Sequence, residues 1–166
     1  MGTLFIGIAG GSGAGKTALA KELKKHFGRT TRVLHLDEYQ KFGEKLPKFH
    51  GMKNWDCPEA IKWNKLYQDL VSLKRKEEIV IVEGYLLFWQ PAVRRLFNKR
   101  IYLEAGEETR IKRRTKFKNP RYVERVLLPM HEKYIEPTKK FANLVLNTER
   151  YSIKQCAKKI FQVIET

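Results

Sequence analysis

The chain has only two cysteines in 166 residues, Cys57 and Cys156. They lie far apart and neither stands at metal-ligand spacing. A disulfide framework is excluded, and a reducing, cytoplasmic setting is expected. No run of about 18 uncharged apolar residues exists, so no membrane-spanning helix is expected. The apolar stretch 4–9 has no basic segment before it and no small-residue cleavage site after it, unlike a signal peptide. Ile6 stands where a myristoylation signal needs Ser or Thr. No repeat, low-complexity tract or Pro/Gly/Ser-rich linker divides the sequence, and a single domain over 1–166 is expected. Acidic residues are also scarce: 18 Asp and Glu face 34 Lys and Arg, a net charge of +16. Such an excess fits a polyanionic partner (nucleic acid, a membrane surface or a phosphorylated small molecule), and it fits a solvated lysine-rich surface equally well.

What is present is a core's worth of apolar residues, 42% of the chain, too many for a disordered segment. Apolar, β-branched runs at 3–9, 31–36, 79–82, 100–103 and 143–146 read as strands. Helical spacing lies between them: Leu19, Leu23 and Phe27 share one face of a helix over 17–27, with Gly28 as its stop. Residues 38–55 read as loop. A helix is expected from about Pro58 to Lys74, with Ile61, Leu66, Leu70 and Leu73 inward, and another over 152–164. Strands alternating with helices predict an α/β, three-layer sandwich: a five-stranded parallel sheet with helices on both faces. Ligands of such sheets bind at the carboxyl ends of the strands. Attention therefore falls on Gly10 onward, Asp37, Glu83 and Glu104.

Gly10-Gly11-Ser12-Gly13-Ala14-Gly15-Lys16-Thr17 matches G-x-x-x-x-G-K-[ST] throughout, after an expected strand and before an expected helix. Phosphate oxygens must approach backbone N–H groups closely, so side chains are minimal here, and the helix N-terminus directs its positive end at the anion. In this motif Lys16 serves the β- and γ-phosphates and the Thr17 hydroxyl serves Mg²⁺. Glu83, ending an apolar strand, is the candidate second metal residue. Asp37, ending another, is the candidate catalytic base. No N-K-x-D guanine signature follows a strand, which favours ATP over GTP.

Several segments together resemble the uridine kinase-type P-loop nucleoside kinases, a group that includes nicotinamide riboside kinases. The likeness runs from about Thr3 to Asn147. It is carried by the P-loop, by Asp37-Glu38-Tyr39, and by Trp55-Asp56-Cys57-Pro58-Glu59-Ala60. It continues in Val82-Glu83-Gly84-Tyr85-Leu86-Leu87, in the arginine-rich stretch from Arg110 to Arg114, and in the segment from Pro129 to Ala142. The resemblance implies transfer of the ATP γ-phosphoryl group to a 5′-hydroxyl. It implies Asp37 and Lys16 as catalytic residues, with residues 10–17, Arg113 and Arg114 at ATP. It further implies Asp37, Tyr39, Trp55, Asp56 and Arg110 at the substrate, and Thr17 and Glu83 at Mg²⁺. His50 could touch substrate, whereas His26 and His35 look structural.

A short basic lid is expected over about 110–125, where Arg110, Lys112, Arg113, Arg114, Lys116, Lys118, Arg121 and Arg125 face one acid, Glu124. Lys116, Lys118 and Arg121 read as its solvated side. The sequence departs from the family between 73 and 79, where the usual base-reading hairpin has no counterpart. Uridine or cytidine, nicotinamide riboside, or another small hydroxylated acceptor therefore stay open. A polynucleotide 5′-kinase is the alternative that the charge motivates, yet no RRM- or KH-like signature supports nucleic acid as partner. Oligomeric state is not legible in the sequence.

Overall fold

The computed structural model describes residues 2–114 and 119–166. Strand β1 (Leu4–Gly10) leads through the glycine-rich loop into α1 (Lys16–Phe27). Gly28, with φ of 88°, ends α1 and returns its N–H to the Lys24 carbonyl. Strand β2 (Thr31–His35) runs into a 3₁₀ turn, Leu36–Tyr39. The stretch expected to be loop contains a small hairpin, β3 (Lys48–Phe49) and β4 (Met52–Lys53), turned at His50 and Gly51. His50 packs edge-on against Phe49 and is not on the wall of the main cleft.

Helix α2 spans Trp63–Leu73, shorter than expected. Pro58–Ala60 closes only a 3₁₀ turn, and Ile61 then bridges to Gln40 in extended conformation. That pairing takes the backbone out of a helix before Trp63. Strand β5 (Ile79–Glu83), α3 (Pro91–Arg94), β6 (Lys99–Glu104) and α4 (Glu107–Arg114) follow. Beyond the undescribed residues come α5 (Pro120–Tyr122), a π-helical turn at Val123–Leu127 and α6 (Leu128–Met130). A second π-helical turn, His131–Ile135, passes into a 3₁₀ segment, Glu136–Phe141. Strand β7 (Leu144–Asn147) and α7 (Ile153–Glu165) complete the chain. Lys116 and Lys118, expected on a solvated face, lie outside the described residues; Arg121 is exposed.

The five long strands form one parallel sheet in the order β2-β5-β1-β6-β7. Alternation along β1 assigns its residues to two cores. Ile6 and Ile8 pack with Leu19 and Leu23 of α1 and Cys156 and Ile160 of α7. Phe5 and Ala9 pack on the opposite side with Leu66 and Leu70 of α2 and with Phe88 and Phe97. Helices thus cover both faces. A third cluster, Leu46, Cys57, Ala60, Val126 and Met130, seats the 46–60 segment on the helical segment that follows α5. Because all five strands run one way, Gly10, His35, Glu83, Glu104 and Asn147 end on one edge of the sheet. Among the described residues no helix is long and apolar enough to cross a membrane.

Candidate active site

A cleft of about 590 Å³ opens at that edge, a size ordinary for small-molecule sites. Ser12, Gly13, Gly15, Lys16 and Thr17 form one wall. Asp37, Gln40, Trp55, Asp56 and Tyr85 line the same cleft. Glu83, Arg113 and Arg114 lie with them.

The loop geometry follows from its glycines. Gly10 has a φ of 141°, and a Cβ there would stand 2.2 Å from the Leu103 carbonyl oxygen. Gly13 has a φ of 85°, and a Cβ would stand 2.8 Å from the Arg110 carbonyl oxygen. Left-handed backbone and close approach to β6 and α4 together exclude side chains. Gly10, Gly11 and Ala14 are the loop's buried support; the other residues face the cleft. Gly15 caps α1 without a side-chain acceptor. The first-turn amides and the helix dipole thus supply an anion site.

Lys16 donates Nζ–H to the Gly11 carbonyl at 2.9 Å. Burial lowers its pKa to about 8, while Glu83 pulls the other way and Arg114 and Arg110 add to the lowering. A buried ammonium at a helix N-terminus is poorly compensated without an anion. Thr17 donates its hydroxyl to Glu83 Oε1 at 3.2 Å, so two hard oxygen donors sit side by side. These features fit a nucleoside triphosphate with Mg²⁺, which takes one or two protein oxygens and completes its shell with phosphate and water. Among the described residues no group of three or more His, Cys, Asp or Glu suited to a metal is present.

The arginines of α4 separate by helical position. Arg113 donates to the Gly13 carbonyl at 3.0 Å and to Thr148 Oγ1 at 3.2 Å; Thr148 in turn donates to the Ala14 carbonyl at 2.8 Å. Arg113 and Arg114 face the cleft. Arg110, expected beside the substrate diol, is buried under Gly11 with its Nε–H on the Ala105 carbonyl, and it is not on the cleft wall. The α4 backbone packs against Gly13, which turns Arg110 beneath the loop. His131 is its neighbour there. Burial, and then the Arg110 charge, lower the His131 pKa to about 4.

Tyr39, expected at the substrate, is also displaced. Its hydroxyl donates to Asp69 Oδ2 at 2.7 Å and its ring belongs to the core. Gln40 takes the place at the cleft, because the 3₁₀ turn sets its N–H on the Asp37 carbonyl and stacks it over Asp37. Gln40 Nε2 donates to the Tyr85 hydroxyl at 2.7 Å and to the Trp55 carbonyl at 3.2 Å, and Tyr85 donates to that carbonyl as well. Burial and the charge of Asp56 hold the Tyr85 phenol well above its usual range, so it remains a donor. The sequence reading missed Gln40, Thr148 and Tyr122. The i, i+3 spacing from Asp37 was a signal for the first; the other two carried none.

Fold and loop together define a P-loop, ATP-dependent phosphotransferase acting on a hydroxyl. The AAA domain family (AAA_18) matches residues 6–126. A relative named uridine kinase from Chlamydia pneumoniae is 31% identical over 181 residues, spanning 87% of this chain and 81% of the relative. Another of that name, from Clostridium perfringens strain SM101, is 32% identical over 179 residues, 86% of each. By these matches the chain belongs to the uridine kinase family of P-loop kinases. Among solved structures, a possible uridine kinase from Bacillus stearothermophilus superposes with a TM-score of 0.63 at 19% identity, covering 88% of this chain and 89% of that one. A shikimate kinase from Bacteroides thetaiotaomicron gives 0.68 at 16% identity, covering 98% and 99%. At those identities the structural likeness is one of fold.

Proposed function

We propose that this chain, acting as one kinase unit in the cytoplasm, transfers the γ-phosphoryl group of ATP to the 5′-hydroxyl of a nucleoside or riboside. The observation that carries the reading is the single cleft that Lys16, Thr17 and Glu83 line together with Asp37, Trp55 and Asp56. Phosphoryl transfer asks for positioning and charge stabilisation rather than covalent catalysis.

The P-loop amides and Lys16 hold the phosphate chain, and Lys16 and Arg114 offset charge that develops on the transferred group. Asp37 accepts the hydrogen bond of the acceptor hydroxyl, aims its oxygen and takes its proton. Asp56 receives the ribose hydroxyls, and Trp55 offers a flat face to the base. Thr17 and Glu83 would hold Mg²⁺, which would supply neutralisation of the phosphate charge. Arg113, on the cleft wall, supports the loop by holding the Gly13 carbonyl.

A uridine- or cytidine-type acceptor is the first reading, and the short connection before β5 supplies the ground for a second. After Leu73 only a turn, residues 74–78, leads to β5, so no hairpin reaches over the acceptor side from there. Nicotinamide riboside is the second reading on that ground.

The test is turnover of ATP, and of GTP, with uridine, cytidine, nicotinamide riboside, pantothenate, shikimate and a 5′-hydroxyl oligonucleotide. Phosphorylation of a ribosidic nucleoside is expected, with ATP preferred. Turnover confined to the oligonucleotide would replace this reading by a polynucleotide kinase. Turnover confined to shikimate or pantothenate would overturn the riboside assignment.

A further inference from the structure

Glu83 Oε1 accepts two side-chain hydrogen bonds. One comes from Thr17, across the cleft edge; the other is with His35 Nδ1 at 2.7 Å. The second is a product of sheet register. His35 is the last residue of β2, Glu83 the last of β5, and the two are direct partners in the parallel ladder. Paired residues on neighbouring strands project to the same face, so the register itself delivers the imidazole to the carboxylate. Glu83 is buried and faces the cleft; His35 stays partly exposed and does not line it.

We propose that His35 is a positioning residue for Glu83. Its Nδ1–H donates to Oε1, which fixes the rotamer in which the carboxylate meets Thr17. A carboxylate is acceptor-only, so the proton of this bond belongs to the histidine. A buried carboxylate free to rotate would lose its alignment with the Thr17 hydroxyl, and a partner that orients it restores that alignment. Tyr39, Gln40 and Tyr85 make no bond to Glu83, which leaves His35 and Thr17 as its side-chain partners among the described hydrogen bonds. The inference rests on the reading of Glu83 as one of the two Mg²⁺ residues.

Two variants test it. In His35→Asn, the Asn Nδ2–H stands near the position of Nδ1–H; His35→Leu has no donor. The first readout is the rise in melting temperature that ATP produces without any acceptor, with Mg²⁺ and separately with EDTA. The second is the Mg²⁺ concentration for half-maximal turnover. His35→Leu is expected to lose the Mg²⁺-dependent part of the rise while keeping the EDTA part, and to need about 10- to 100-fold more Mg²⁺. His35→Asn is expected to behave as the native protein does. An unchanged Mg²⁺ dependence in His35→Leu overturns the role of His35, as does an Asn variant no better than the Leu one. A native protein whose ATP-induced rise ignores Mg²⁺ overturns the metal reading of Glu83, and this inference with it.

Discussion

Tyr122 donates its hydroxyl to Asp56 Oδ2 at 2.5 Å, and the same phenolic oxygen accepts the Trp55 backbone N–H at 3.0 Å. One residue near the end of the basic segment therefore ties down both acceptor-side residues. Burial, with the Asp56 charge behind it, holds the Tyr122 phenol far above its ordinary range. It stays a donor across all working conditions. The third hydrophobic cluster, in which Val126 and Met130 meet Cys57 and Ala60, makes this reach possible.

Tyr122→Phe should therefore loosen Asp56 and Trp55 while leaving the P-loop alone. A hydrogen bond to a charged group contributes about 1.5–3 kcal/mol, so kcat/KM for the acceptor should fall about tenfold to a hundredfold. The KM for ATP should not move. Steady-state kinetics with each substrate varied in turn decide it; an equal loss for ATP would show that Tyr122 acts on the whole cleft.

Asp37→Asn should retain ATP binding and lose turnover by about 10²–10⁴-fold, the range for a removed general base. The side chain is exposed at the cleft and is not part of the loop that holds the phosphates. Calorimetric ATP titration alongside single-turnover rates checks both halves. Unchanged turnover would remove Asp37 from the chemistry.

His131 supplies a pH dependence whose sign can be worked out. Its folded pKa of about 4 lies below the ordinary 6.5, chiefly through burial and then the Arg110 charge, with Lys16 adding to these and Glu136 opposing them. As pH falls through 6.5 the unfolded chain takes up a proton that the folded chain refuses. The contribution is thus whole above about 6.5 and is lost progressively toward pH 4. Urea midpoints across that window should fall more steeply for the native protein than for His131→Phe; parallel curves would contradict the assignment.

Ser152 begins α7 with a reciprocal cap: its hydroxyl accepts the Gln155 N–H at 3.1 Å, and the Gln155 side chain accepts the Ser152 N–H at 2.8 Å. Ser152→Ala should cost about 1 kcal/mol of stability. α7 packs on α1, with Ile153 against Gly15 at the edge of the loop, but no residue of α7 lines the cleft, so kinetic constants should be unchanged. Chemical denaturation and steady-state assays read the two effects separately.

What the sequence determined by itself was carried by contiguous residues. The strand runs and the P-loop between strand and helix are local patterns with a local physical cause, whereas Trp55 and Asp56 were legible only through resemblance to a family. A glycine-rich loop between strand and helix has few other uses, and parallel strands must end on one edge. What only the tertiary structure decided was direction and partnership. Tyr39 and Gln40 are adjacent in sequence, and the tightness of one 3₁₀ turn decides which of them meets the cleft. Arg110 and Arg113 share a helix, and the docking of α4 on Gly13 decides that one goes beneath the loop and the other along it. His35 reads as a structural histidine until strand register sets it against Glu83. Tyr122 and Asp56 are separated by 66 positions and meet only because one hydrophobic cluster draws their segments together. Pairings across such separations depend on how whole faces pack, and no local pattern encodes them.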